Sequence, residues 1–150
     1  MKHTVTKSFT FDMGHRLSNY EGKCKHLHGH TYKLEVTIEC DELDDRGMVM
    51  DFGDLKKIYK EQIEAKFDHK LLLYENDDYN QRLAKAIEPD RESIVWAEYN
   101  PTAENIVDNI LGIFQWHLPN ERRLRVSHIR LYETPTSYAD IIPEGESKNE

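Results

Sequence analysis

The 150-residue chain has only two cysteines, Cys24 and Cys40, too few for the disulfide framework of a small secreted protein. It has no apolar run near the roughly 18–20 residues that a membrane span requires, so no membrane partner is expected. It also lacks basic excess: 20 Lys and Arg stand against 28 Asp and Glu, for a net charge of −8. A nucleic-acid polymer needs a basic surface, so no nucleic acid is expected as a partner. No glycine-rich phosphate fingerprint is present, and nothing points to a nicotinamide or flavin cofactor. Met1-Lys2-His3-Thr4 leads into strand-like sequence without an apolar signal region, which makes the cytoplasm the expected compartment.

What is there fits one domain with a real core, read as residues 1–142, followed by a polar tail at 143–150 expected to be disordered. Residues 4–12 carry Val5, Phe9 and Phe11 on one face and read as a strand. From His28 to Cys40 the alternation is cleaner, with His28, His30, Tyr32, Leu34, Val36, Ile38 and Cys40 on one face. That period of two predicts a half-buried strand of an antiparallel sheet. Asp44–Gly47 is a turn, and Met48–Met50 a short extended piece.

Asp51 suits the cap of a first helix, whose stripe is Leu55, Ile58, Tyr59, Ile63 and Phe67. A second helix is expected to start near Asn100-Pro101, with Pro at its first position. Its stripe runs from Ala103 through Ile106, Val107, Ile110, Leu111 and Phe114 to Leu118. Strands are expected at Val126–Tyr132 and Ser137–Ile142. Residues 74–92 read as an insertion loop with one short helix (Gln81–Ile87), ending in an edge-strand-like segment at Ile94–Trp96. The order predicts an α+β fold, ββααββ, with two helices on one face of a four-stranded sheet. The other face and the edges of such a sheet need cover, so an oligomer is expected.

Four of the eight histidines fall between positions 15 and 30. On a strand, His28 and His30 share a face, and Gly29 puts no side chain between them. His15, at the end of the first strand, can supply a third nitrogen. Three protein ligands with an open position form the catalytic type of zinc site. Cys24 is either a fourth ligand, which would close the site, or a nearby thiol able to act as a base. Arg16, Lys23 and Lys25 form a local basic cluster that suits a small anion, or merely a solvated loop. Cys40 reads as core, His26 as solvent-facing, and His3, His117 and His128 as structural. On their own, Asp68-His69 also reads as a helix end, Glu133 as a solvated strand-end carboxylate, and Thr102 and Glu104 as helix capping.

Taken together, His15…Cys24-x-x-x-His28-Gly29-His30, Asp68-His69, Asn100-Pro101-Thr102-Ala103-Glu104-Asn105 and Glu133-Thr134-Pro135-Thr136-Ser137 resemble the 6-pyruvoyl-tetrahydropterin synthase family. The order and spacing of these motifs, over residues 4–141, are most similar to the bacterial 6-carboxytetrahydropterin synthases of the queuosine pathway. The resemblance implies a tunnelling fold whose subunits pool their sheets into a barrel. It further implies a homohexamer, a dimer of trimers, with sites shared between subunits. It assigns His15, His28 and His30 to zinc and Cys24 to proton transfer. Asp68 and His69 become the other half of the acid–base relay, reaching the site from a neighbouring subunit. Glu133 becomes the anchor of the pterin ring, with Thr102 and Glu104 near it.

The implied reaction is a lyase conversion of 7,8-dihydroneopterin triphosphate to 6-carboxytetrahydropterin. The alternatives are 6-pyruvoyl-tetrahydropterin synthesis, or a non-catalytic module that binds a pterin or purine. The three-residue gap between Cys24 and His28 favours the carboxy-forming branch, by analogy of loop length. Met13-Gly14 and Phe67 depart from the family's usual Ala-Ala and Leu, at packing positions that carry no chemistry.

Overall fold

The computed structural model describes residues 1–120 and 124–144. Its centre is a long antiparallel ribbon of β1 (His3–His15) and β2 (His28–Cys40). Phe9, Phe11, Met13, Tyr32, Leu34, Val36 and Ile38 form the buried face of this ribbon. The intervening residues, such as Thr4, Thr6, Ser8, Thr10, Asp12 and Thr31, face outward. Strand side chains alternate, so every second residue reaches the core. The first strand runs three residues further than its sequence pattern suggests, and this extension brings His15 opposite His28.

Asp51 caps α1 (Phe52–Ile58), accepting from Gly53 N–H at 2.6 Å. Such a cap contributes about 1 kcal/mol. The helix then widens into a π-helical segment (Tyr59–Glu64) and closes with a last turn, α2 (Ala65–Phe67). The spacing explains the widening. Leu55, Tyr59, Ile63 and Phe67 recur every four residues, and all are at most 4% exposed. In an α-helix each four-residue step overshoots a full turn by about 40° and would rotate the stripe off the core. The wider π turns hold it in line.

Where the sequence suggests an insertion loop at 74–92, the structure has ordered elements. A strand β3 (Lys70–Tyr74) begins just before it. Within it lie α3 (Asp78–Ala86) and a 3-10 turn (Glu88–Ser93), and β4 (Ile94–Ala97) follows. Parallel pairing joins β3 to β1 and β4 to β3, which makes the sheet mixed rather than antiparallel. Leu71–Leu73 is a continuous apolar run with no period, the pattern of a parallel strand covered on both faces, and periodicity cannot reveal it.

The chain continues through α4 (Ala103–His117) to β5 (Arg125–Thr134) and β6 (Ser137–Ile141). Thr102 rather than Asn100 caps α4, its hydroxyl accepting from Asn105 N–H at 3.2 Å. Pro101 therefore stands outside the helix, where its carbonyl is free for another partner. The six strands are ordered β4-β3-β1-β2-β5-β6: the edge-strand-like segment expected at Ile94–Trp96 is β4, and β3 is the strand that the sequence pattern does not predict. Helical residues Leu55, Ile63, Phe67, Ile106, Ile110 and Phe114 join Tyr32, Leu34 and Ile129 in one core cluster.

The helix-free face is hydroxylated and charged rather than apolar. Thr6 bonds Thr37 at 2.8 Å, and Arg130 and His128 both bond Asp140. Only the strand edges, β4 and β6, present the unpaired backbone that invites pairing. Cys40 is core, and the tail residues 145–150 lie outside the described residues.

Candidate metal centre and active site

Ribbon register assembles the three histidines. His15 lies directly across from His28, and His30 sits two residues along β2, opposite Met13. All three face the core side, with ring centroids 4.6–5.2 Å apart. One nitrogen from each falls within 4.8 Å of the other two, a group that does not include Cys24. Gly29 faces the other way, and a Cβ there would approach Met13 O to 3.2 Å. The ribbon is tight at this point, which favours glycine.

Hydrogen bonds fix how the rings are presented. His15 Nδ1 donates to Pro101 O at 2.8 Å, and His28 Nδ1 donates to His26 O at 2.7 Å. A carbonyl only accepts, so both Nδ1 atoms carry protons and, in the neutral rings, both Nε2 atoms carry lone pairs. Those two Nε2 atoms are 3.0 Å apart. His30 Nε2 is buried without a hydrogen-bond partner. Two facing lone pairs and one orphaned buried nitrogen are costly unless something electrophilic sits between them. A divalent cation would satisfy all three, and the carbonyl partners are the usual outer support of histidine ligands. The residues present fit a zinc ion.

Burial suits the rings to ligation. Desolvation lowers His15 to about 4, against the raising effect of the Pro101 carbonyl, with His28 and His30 adding to the depression. Burial also lowers His30, with His28 adding to it. Both are neutral near pH 7, the form that ligates a metal.

Tyr32 lies beneath the cluster, fully buried, its hydroxyl 3.4 Å from His15 Nδ1. Burial raises this phenol far above its usual range, and the charges of Glu133 and Cys24 raise it further. Glu133, near the end of β5, has its Oε1 3.9 Å from His15 Nε2. Its carboxyl is raised by burial and then by Glu104, with His28 opposing. Among the described residues no donor hydrogen-bonds to it, so it is a half-buried carboxylate able to accept from a ligand. Glu104 stands near it in the first turn of α4, while the Thr102 oxygen is engaged as the helix cap.

Cys24 sits half-exposed in a 3-10 turn (Lys23–Lys25), its carbonyl accepting from Leu17 N–H at 2.9 Å. Lys23 and Lys25 are exposed, as a small-anion contact would require. Arg16 is not available for that role, because Asp77 and Asn80 engage its guanidinium.

Asp68 and His69 gather on the opposite side of the ribbon. His69 Nδ1 bonds Asp68 Oδ2 at 2.8 Å, and Asp68 Oδ1 accepts from Asp12 N–H at 2.9 Å. His69 N–H donates to Asp12 O at 2.7 Å, with φ +59°, a left-handed conformation uncommon outside glycine. Asp12, Asp68 and His69 lie within 4.8 Å of one another and could also hold a cation. They are instead paired among themselves: Asp68 raises His69, and the Asp12 amide lowers Asp68. Within one chain, then, the structure brings together the three histidines, Glu133 and Glu104, places Cys24 on the loop between β1 and β2, and sets Asp68 and His69 apart.

A family model described as 6-pyruvoyl tetrahydropterin synthase matches residues 4–144. The chain belongs to that family. It is 35% identical over 137 residues to a 6-carboxy-5,6,7,8-tetrahydropterin synthase of Rickettsia bellii, covering 91% of this chain and 97% of the relative. The enzyme of that name from Haemophilus influenzae is 36% identical, with 91% and 96% covered. Among solved structures, an uncharacterised protein of Wolinella succinogenes superposes with a TM-score of 0.84 at 26% identity, covering 96% of this chain and 99% of that one. The 6-pyruvoyl tetrahydropterin synthase of Caenorhabditis elegans superposes at 0.69 with 22% identity, covering 96% and 97%, and shares the fold. The chain has the tunnelling fold, α+β, with α1, α2 and α4 packed on the core face of the mixed sheet. Among the described residues no helix is long and apolar enough to cross a membrane.

Sequence reasoning missed three contributors. Tyr32 shares the face of His28 and His30, so its parity alone could have pointed to it. The Pro101 carbonyl and the Asp12 carboxylate gave no signal, because their roles depend on which distant segment lies beside them.

Proposed function

We propose that this chain is a zinc-dependent 6-carboxytetrahydropterin synthase acting on 7,8-dihydroneopterin triphosphate. The observation that carries the reading is the trio of convergent imidazole nitrogens with Glu133 Oε1 3.9 Å away. A metal site beside a carboxylate that lacks its own donors suits a ligand with hydroxyls at one end and an amide–amine edge at the other. Relatives named for this reaction support the substrate class.

Zinc held by His15, His28 and His30 would supply Lewis acidity toward side-chain hydroxyls of the substrate. Glu133 accepts two hydrogen bonds from the pterin amide and amine, which orients the ring and stabilises the charged carboxylate that burial otherwise opposes. Cys24 removes a proton from a side-chain carbon, and His69, with Asp68 behind it, carries a proton on the other side. Lys23 and Lys25 favour the triphosphate as it leaves. Because Asp68-His69 lies across the ribbon from its own triad, it would serve a neighbouring subunit's site. That placement suits sites shared between subunits, and the assembly proposed is a homohexamer, a dimer of trimers, working in the cytoplasm.

The test is to incubate zinc-loaded protein with 7,8-dihydroneopterin triphosphate and identify products by mass. A 6-carboxytetrahydropterin product is expected, with release of triphosphate and of the remaining two side-chain carbons as acetaldehyde. A 6-pyruvoyl product would move the chain to the other branch of its family. Tight pterin binding without turnover would make it a non-catalytic binding module.

A further inference from the structure

The loop that carries Cys24 is held by a segment remote in sequence. Arg16 donates Nε–H to Lys25 O at 3.1 Å, one residue from Cys24. Its Nη1 donates to Asp77 Oδ2 at 2.8 Å and to Asn80 Oδ1 at 2.9 Å, while the guanidinium lies 4.3 Å from the centre of the Tyr79 ring. Ser18 Oγ donates to the same Asp77 oxygen at 2.6 Å. Ser18 is 1% exposed and Asn80 fully buried. Asn100 completes the path, accepting from Ser18 N–H at 2.9 Å and donating to Ser18 O at 3.0 Å, one residue before the Pro101 carbonyl that holds His15.

An exposed ion pair would contribute little, because water screens it. This pair is mostly enclosed, with 11% of the Arg16 side chain and 18% of the Asp77 side chain exposed. The Arg16 Nε and Nη1 both point at oriented acceptors, which fixes direction as well as distance. The residues on the far side, Asp77, Tyr79 and Asn80, belong to the 74–92 segment, which plays no part in the proposed chemistry.

We propose that Arg16 and Asp77 are positioning residues, through which the inserted segment clamps the β1–β2 loop and so sets Cys24 against the histidine triad. The inference rests on the reading of Cys24 as the proton-transferring group. Neither residue touches the reacting atoms; each acts by limiting where Cys24 can be. A displacement of about 1 Å at a reacting group can cost on the order of a hundredfold in rate.

The experiment compares Asp77→Asn and Arg16→Lys in the zinc-loaded full chain, with Arg91→Ala as control. Arg91 forms an exposed pair with Glu88 in the same segment. Four quantities are read: zinc content, thermal midpoint, rate of Cys24 alkylation by iodoacetamide, and kcat and KM on 7,8-dihydroneopterin triphosphate. Cys40 is buried, so alkylation reports on Cys24. In both clamp variants Cys24 should alkylate at least about fivefold faster, since a loosened loop opens more often. The kcat should fall at least about tenfold with KM within about twofold and zinc unchanged. Arg91→Ala should match the parent.

Unchanged alkylation overturns the clamp, as does a kcat loss no larger than the loss of folded protein. If Asp77→Asn does not fold, Arg16→Lys still decides, because lysine keeps the charge toward Asp77 and loses the Nε–H bond to Lys25. Cys24→Ala run in parallel separates the two ideas. If it stays active, the catalytic reading of Cys24 fails, while the alkylation rates alone decide whether the loop is clamped.

Discussion

On the core side of the β1–β2 ribbon His15 is 1% exposed, and burial holds its imidazole down to about 4. Across the same ribbon His69 is 79% exposed at its side chain, and Asp68 holds its imidazole above the usual value. Strand parity puts His15 on the core side, the turn before β3 carries His69 past the other side, and the two environments then favour opposite protonation states. Desolvation favours the neutral ring that can ligate a cation; an adjacent carboxylate favours the charged ring that can give up a proton. The lesson is that one thin ribbon keeps three buried, convergent imidazoles apart from an exposed imidazole paired with a carboxylate.

The severest way to break the core side of that contrast is to remove a ligand. His28→Ala or His30→Ala should leave folded protein with well under one zinc per chain by elemental analysis, and no measurable turnover. Full zinc in both variants would sink the site. Cys24→Ala should keep its zinc and lose activity by about a hundredfold or more, the scale of a general acid–base group. Parallel loss of metal would instead make Cys24 a fourth ligand. Mixing Cys24→Ala chains with His69→Ala chains should restore part of the activity if the two sides of the ribbon serve different subunits. No recovery after verified subunit exchange would confine each site to one chain.

Glu133→Gln tests the border between the sides. The amide keeps the shape but turns one acceptor into a donor facing a donor. Hydrogen bonds to a charged group are worth about 1.5–3 kcal/mol each, so pterin affinity by calorimetry should fall at least about tenfold, with zinc unchanged. The smallest effect is expected from Asp68→Asn. His69 is raised in the folded protein, so its pairing with Asp68 is complete below the unfolded value of 6.5 and is lost as pH rises through the raised one. Without the carboxylate, the His69 titration followed by NMR should move to lower pH. The rate should lose its dependence on that group over the same interval. An unmoved titration would show that Asp68 does not tune this ring.

Much of the fold was readable because it rests on local rules. The alternation from His28 to Cys40 matches β2 at both ends, and Asp51 caps α1 as its position suggests. β3 was not readable, since Leu71–Leu73 has no period, and α3 was legible only as a short helix because its anchoring Asn80 is polar yet fully buried. The π-helical widening follows from a four-residue spacing that is visible in the sequence. Only packing against the sheet makes that spacing choose a wider turn over a rotated stripe.

The candidate site divides along the same line. By itself the sequence singled out the candidate residues and determined that His28 and His30 share a face, because side chains two apart on an extended backbone point the same way. Only the tertiary structure decided that His15 stands across from His28 and that the Pro101 carbonyl turns His15 Nε2 toward its neighbours. It also decided that Asp77 reaches back to Arg16, and that Asp68-His69 belongs to the other side of the ribbon. Each of these depends on the register between strands or on a contact across dozens of residues. Hydrogen-bond geometry and burial fix such relations only once the whole core has closed.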